Sequence, residues 1–126
     1  MKQIIPHLFV KNVGENVDFY KNKLGFEPIY VQTENEIVNF AILKDENAQI
    51  MIGEKGVLWK YFPELKDKPE SNQMMLYFEM SDVTAYYEKV KNNVEVIKEL
   101  HDSWYKTKEF WIRDCNGYLI AFYQNI

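Results

Sequence analysis

The chain has 126 residues, 47% of them hydrophobic and 27% charged, which suits one globular domain with a core and excludes a disordered chain. Net charge is −4 and the 15 lysines and arginines form no block, so no nucleic-acid partner is expected. No window approaches the roughly 18 consecutive apolar residues of a membrane span, and the opening MKQIIPHLFV has no cleavage site behind a long apolar run, so the expected setting is cytoplasmic with no membrane partner.

In chain order, residues 3–10 alternate loosely and predict a strand, with Pro6 favouring a sheet edge or bulge. Asn12 can cap a helix over 13–24, where Val13, Val17, Tyr20 and Leu24 recur at helical spacing and Gly25 ends it. Strands follow over 27–32, 37–43 and 48–53, separated by the polar turns TENE and KDEN. Residues 54–72, with Gly56, Pro63, Pro69 and the charged run ELKDKPES, read as a connector with one helical turn near Trp59. The pattern then restarts: a strand at 73–80, a helix from Asp82 to Asn92, and strands near 94–100, 107–113 and 118–124. The lone Cys115 cannot form an internal disulfide, and no histidine and carboxamide or carboxylate set marks it as a catalytic thiol.

A true repeat keeps a constant offset. An offset of 70 takes Asn12-Val13 to Asp82-Val83, Phe40 and Ile42 to Phe110 and Ile112, and Ile50 and Ile52 to Ile120 and Phe122. The chain is therefore expected to be an α+β protein: one domain, 1–126, made of a β-α-β-β-β module at 1–54, a connector at 55–72 and a second module at 73–126. A module of about 50 residues buries too little by itself, so the two are expected to pack together or to exchange between chains.

Strand alternation assigns faces. Ile4, Leu8, Met74, Leu76, Phe78, Phe110, Ile112, Ile120 and Phe122 are expected under the helices. The other face takes His7, Met75, Tyr77, Glu79, Glu109, Trp111, Arg113, Ala121 and Tyr123, together with Asn39, Ala41, Leu43, Gln49 and Met51 through the offset. Such a mixture of aromatics, methionines and a few polar groups suits a concave small-molecule site.

The segments IIPHLFVKNVGENVDFYKNKLGF (4–26), YFEMSDVTAYYEKV (77–90) and EFWIRDCNGYLIAFYQ (109–124) resemble the vicinal oxygen chelate superfamily, which includes glyoxalase I, extradiol dioxygenases, and fosfomycin and bleomycin resistance proteins. The resemblance implies two modules whose mixed sheets curl around a cleft, commonly completed in a homodimer. Metal-dependent members place His, Gln or Glu ligands on the cleft strands. Here those positions fall on Ile5, Met51, Met75 and Ala121, which offer no set for a hard or borderline divalent ion. The closing segment looks most like the metal-free bleomycin resistance proteins, although Cys115 stands where proline is common.

From these readings no cofactor, metal ligand or catalytic residue is expected, and the leaning is away from an enzyme. The expected function is sequestration of an antibiotic-like or amphipathic ligand by a homodimer. Its ligand-binding candidates are His7, Asn39, Met51, Trp59, Met75, Tyr77, Trp104, Glu109, Trp111, Arg113 and Tyr123. Trp111, Trp104 and Tyr123 would stack on the ligand, while His7, Asn39 and Glu109 would orient it. For Arg113, an anion contact and a salt bridge to Asp114 or Glu109 are both open. Two alternatives stand beside this reading: a metal-dependent lyase, isomerase, dioxygenase or thiol transferase recruiting His7, Glu79 or Glu109, and a module whose aromatic face is covered by a protein partner.

Overall fold

The computed structural model describes residues 1–70 and 73–126. The chain divides into two compact units, Met1–Glu70 and Ser71–Ile126. Each is built on the same α+β plan, a mixed four-stranded sheet with a helix packed on one face. The last two residues of the expected 55–72 connector lie outside the described residues.

In the first unit β1 (His7–Val10) leads into α1 (Val13–Asp18), which continues as a π-helical segment, Phe19–Lys23. The side chain of Asn12 caps α1 by accepting the Glu15 N–H at 3.0 Å, satisfying one of the free donors of the first turn. The helix closes at Gly25, whose φ of 86° suits glycine, and the Phe26 N–H reaches back to the Tyr20 carbonyl at 2.9 Å. Strands β2 (Glu27–Glu34), β3 (Ile37–Asp45) and β4 (Ala48–Glu54) complete the sheet in the order β1-β4-β3-β2, with β1 parallel to β4. Pro6 lacks a ladder donor and sits just before edge strand β1, where its carbonyl accepts the Met51 N–H at 2.9 Å. The strand therefore starts at His7 instead of residue 3. Ile4, expected in the core, is 91% exposed.

Beyond β4 the chain is more helical than expected. α2 (Lys55–Tyr61) is capped by Glu54, which accepts the Gly56 N–H at 3.0 Å, and a 3-10 turn follows at Pro63–Leu65. Lys55 bonds Glu70, tying the end of this segment to its start.

The second unit repeats the plan with β5 (Met75–Glu79), α3 (Val83–Val90), β6 (Glu95–Asp102), β7 (Thr107–Arg113) and β8 (Leu119–Asn125), in the order β5-β8-β7-β6. Asp82 caps α3 through the Ala85 N–H at 3.0 Å, as Asn12 does for α1. Tyr86 and Tyr87 of α3 lie on Phe122 and Phe110, with ring centroids 4.9 Å apart in each pair, and Phe110 and Phe122 are fully or almost fully buried. Leu76 is buried here as expected, whereas Met74 precedes the strand and is 50% exposed.

The 70-residue offset holds for the parallel pairs: His7 lies opposite Met51, and Tyr77 opposite Ala121. It fails by one residue in the hairpins. β3 and β4 close at Asp45 and Ala48 around residues 46–47, whereas β7 and β8 close at Arg113 and Leu119 around 114–118. Met51 consequently faces Ile42, while Ala121 faces Trp111. Because side chains alternate with period two, one residue of slip exchanges the faces of a whole strand. Ala41 and Leu43, expected on the open face, are fully buried opposite Ile52 and Ile50; Phe40 and Ile42 instead share the face of His7 and Met51.

Candidate functional site

In each unit the sheet face away from the helix carries several of the candidate residues. On the first unit His7 stacks on Phe9 at 4.1 Å and meets the edge of Phe40 at 5.5 Å, with Tyr30 against Phe40 at 6.0 Å. Gly53 makes room for this arrangement, since a Cβ there would lie 2.7 Å from His7 Nε2 and 3.2 Å from Phe9. Partial burial lowers the His7 imidazole below its ordinary value by disfavouring the cation. Met51, directly opposite His7, is half-buried beside it. Asn39 stands where the β2–β3 register shifts. Its side chain accepts from Gln32 at 3.2 Å and donates to Glu34 at 3.1 Å, forming an exposed polar string along the β2–β3 pair. Trp59 is half-buried on α2.

The second unit carries a denser constellation. Glu109 on β7 is fully buried, yet its carboxylate points to the face away from α3 and meets four neutral donors. Tyr77 donates to Oε2 at 2.6 Å and Thr107 to the same oxygen at 2.9 Å; Trp111 Nε1 donates to Oε1 at 3.2 Å, and Tyr105 also donates to Oε1. His101, the cross-strand neighbour of Glu109, holds Nε2 3.7 Å from Oε1 while its Nδ1 lies 2.7 Å from the Glu99 carbonyl. Burial pushes the Glu109 carboxyl up, but the donors from Tyr105, Tyr77, Thr107 and Trp111 outweigh it, so the group stays ionised below its usual range. The Tyr77 phenol is pushed well above its ordinary value, first by burial and then by its bonds to Glu109 and Tyr105. Its proton is thereby fixed on its own oxygen.

Around this anion the surface is aromatic. Tyr77 and Tyr123 pack at 5.1 Å; Trp104, 91% exposed in the β6–β7 turn, meets Tyr105 edge-on at 5.3 Å; and Lys98 lies over Trp111 at 4.9 Å. Met75 is half-buried opposite Leu119. Arg113, at the end of β7, is held at the hairpin loop. It donates to the Gly117 carbonyl at 3.3 Å and approaches Glu95 at 4.0 Å, thereby bracing the hairpin loop.

The structure thus gathers Tyr77, Glu109, Trp111 and Tyr123 on one sheet, with Trp104 in the adjoining turn, and separately gathers His7 and Met51 on the other. Sequence reasoning missed Tyr105, Thr107 and His101 as companions of Glu109. The signal was the β6–β7 hairpin: pairing 101 with 109 brings all three to the carboxylate, but the pairing depends on register shifts in β6 that composition does not reveal.

The positions to which the resemblance assigns metal ligands do not fit a divalent ion. Met51 offers a thioether among aromatic rings, and Ala121 is a fully buried methyl flanked by Tyr77 and Trp111. Among the described residues no three His, Cys, Asp or Glu side chains form a group able to hold a metal. Glu79 accepts a hydrogen bond from Asn125 at 3.0 Å. Nor is any helix of the described residues long and apolar enough to cross a membrane.

A family model described as Glyoxalase/Bleomycin resistance protein/Dioxygenase superfamily matches residues 3–122. Among solved structures, a protein of unknown function from Agrobacterium tumefaciens str. C58 superposes with a TM-score of 0.77 at 22% identity, covering 100% of this chain and 95% of its own. TnmS3, an antibiotic binding protein from Streptomyces sp. CB03234, gives 0.70 at 16% identity over 100% of this chain and 99% of its own. The bleomycin-binding protein of Streptomyces verticillus, solved with copper(II)-bleomycin, gives 0.67 at 19% identity over 97% and 94%. At these identities the likeness is one of fold. No curated protein matches the sequence.

Proposed function

The chain belongs to the Glyoxalase/Bleomycin resistance protein/Dioxygenase superfamily, and from that premise we propose that it is a non-enzymatic small-molecule binding protein. It sequesters an antibiotic-like or otherwise amphipathic compound, without a metal, as a cytoplasmic homodimer. The observation that carries this reading is the β5–β8 sheet face. Tyr77 is 45% and Trp104 91% exposed beside half-buried Trp111 and Tyr123, all disposed about a single buried carboxylate. Apolar rings supply contact area and stacking, each pair adding roughly 0.5–1.5 kcal/mol beyond burial, while a few fixed polar groups orient the ligand. The antibiotic-binding proteins of the same fold lend support by analogy. The homodimer draws on the family's habit and on the β2–β3 hairpin, where Ile29, Tyr30, Val31 and Ile37 are all exposed.

The test is a titration of tryptophan fluorescence with metal-free bleomycin and a panel of planar cationic antibiotics, before and after chelation, with light scattering to count chains. Saturable quenching that survives chelation is expected. Stoichiometric tightly bound metal, with a response lost on chelation and restored by that metal, would overturn the reading in favour of a metal-dependent family enzyme.

A further inference from the structure

The hydroxyl oxygens of Tyr77 and Tyr105 lie 3.2 Å apart. A contact of that length between two hydroxyls ordinarily means that one donates to the other. Here both protons are already committed: Tyr77 donates to Glu109 Oε2 at 2.6 Å, and Tyr105 donates to Oε1. Each phenol has a single proton, so the two oxygens face one another as acceptors. Behind them stands an ionised carboxylate that polarises both O–H groups and raises the negative charge on their oxygens. Both tyrosines are 45% exposed, so the acceptor pair opens at the surface while the charge that feeds it remains buried.

The positive side of the balance is thin. All four hydrogen bonds to Glu109 come from neutral groups. The groups nearest to a counter-charge are His101, 3.7 Å from Oε1, and Lys98, whose ammonium lies over the far partner Trp111 and not against the carboxylate. A buried anion whose hydrogen bonds all come from neutral donors favours a further cation brought by a ligand.

We infer that the paired phenol oxygens of Tyr77 and Tyr105, backed by Glu109, form a recognition notch for a protonated primary or secondary amine carried on an aromatic ligand. The N–H groups of the ammonium bridge the two oxygens, and the ligand's rings lie along Tyr123, Trp111 and Trp104. The inference rests on the sequestration reading and sharpens it by naming the ligand's charge and its donor group. It also gives Tyr77 and Tyr105 opposite roles on their two sides, donor to the protein and acceptor to the ligand.

The experiment uses the intact protein and two probes with the same ring system, 1-naphthylmethylammonium and the neutral N-(1-naphthylmethyl)acetamide. Binding is followed at constant ionic strength through the indole N–H resonances of Trp59, Trp104 and Trp111. The amine is expected to shift the Trp111 signal saturably, with a Kd at least about tenfold below that of the amide, the margin of a charge-assisted bond. Tyr105→Phe and, independently, Tyr77→Phe should each bring the two Kd values together, with circular dichroism confirming the fold. Equal affinities for amine and amide in the native protein would overturn the notch and leave sequestration by the aromatic face standing. So would a preference that survives both substitutions. If neither probe binds, the notch is overturned, and the antibiotic titration decides the sequestration reading separately.

Discussion

The two units run the same chain plan in opposite chemical directions. Below the helix both are alike, with Leu43, Ile50 and Ile52 filling one core and Phe110, Ile112 and Ile120 the other. On the open face the first unit sets a histidine among rings and disfavours its charge, whereas the second buries a carboxylate and stabilises its charge with four donors. A repeat preserves what the backbone ladder and the helix cap require. It leaves the open face freer to differ, because the ladder and the caps do not dictate which side chains stand there.

Four measurements would break or sharpen this contrast. The largest effect is expected at the core that the units do not share by register. Phe110→Ala should cost about 3–5 kcal/mol in denaturant unfolding, and Phe40→Ala, its partner at the 70-residue offset, under about 2 kcal/mol because it lies on the open face. Equal losses would mean that the offset and not the observed pairing assigns β3.

Next comes Glu109→Gln, which presents an amide N–H₂ to hydroxyl donors and should cost about 2–4 kcal/mol at neutral pH. The sign of its pH dependence follows from the lowered carboxyl. The unfolded chain binds the proton first as pH falls, so the contribution of Glu109 is complete above the ordinary value of 4.5 and is lost as pH drops through the depressed folded one. The variant should therefore show a shallower acid limb than the native protein. An unchanged limb would deny Glu109 its network.

Smaller and symmetric effects are expected from the caps. Asn12→Ala and Asp82→Ala should each cost about 1 kcal/mol, one in each unit, and a marked inequality would show that one helix end has other support. The smallest effect is local to His7. Its imidazole resonances should titrate below 6.5, and Phe9→Ala should move the midpoint back toward that value by restoring water to the ring. A midpoint at or above 6.5 in the native protein would contradict its partial burial.

Much of the fold was legible in the sequence for simple reasons. Asn12 and Asp82 are capping residues ahead of apolar runs, Gly25 supplies a positive φ, and the spacing of Phe110, Ile112, Ile120 and Phe122 reveals a hairpin with one buried face. The site was legible in part. Parity placed Tyr77, Glu109, Trp111 and Tyr123 together, and they are together. The local partners of Asn39 and Arg113 were not legible, because they depend on a register shift in the β2–β3 pairing and on the β7–β8 hairpin loop. Tyr105 was overlooked as a partner of Glu109 because it lies in a turn, where alternation carries no information.

The sequence by itself therefore determined the order of strands and capped helices within each module, the helix N-caps, the twofold repeat and which side chains in β7 and β8 face away from α3. Those features depend on residues near one another along the chain, where period and capping chemistry act. Only the tertiary structure decided that β3 is one residue out of step with β7, and that Tyr77, Tyr105, Thr107 and Trp111 converge on Glu109 from separate elements. Strand register is set by loop length and by pairing across the sheet, and a buried charge is stabilised only when its donors arrive from several elements at once.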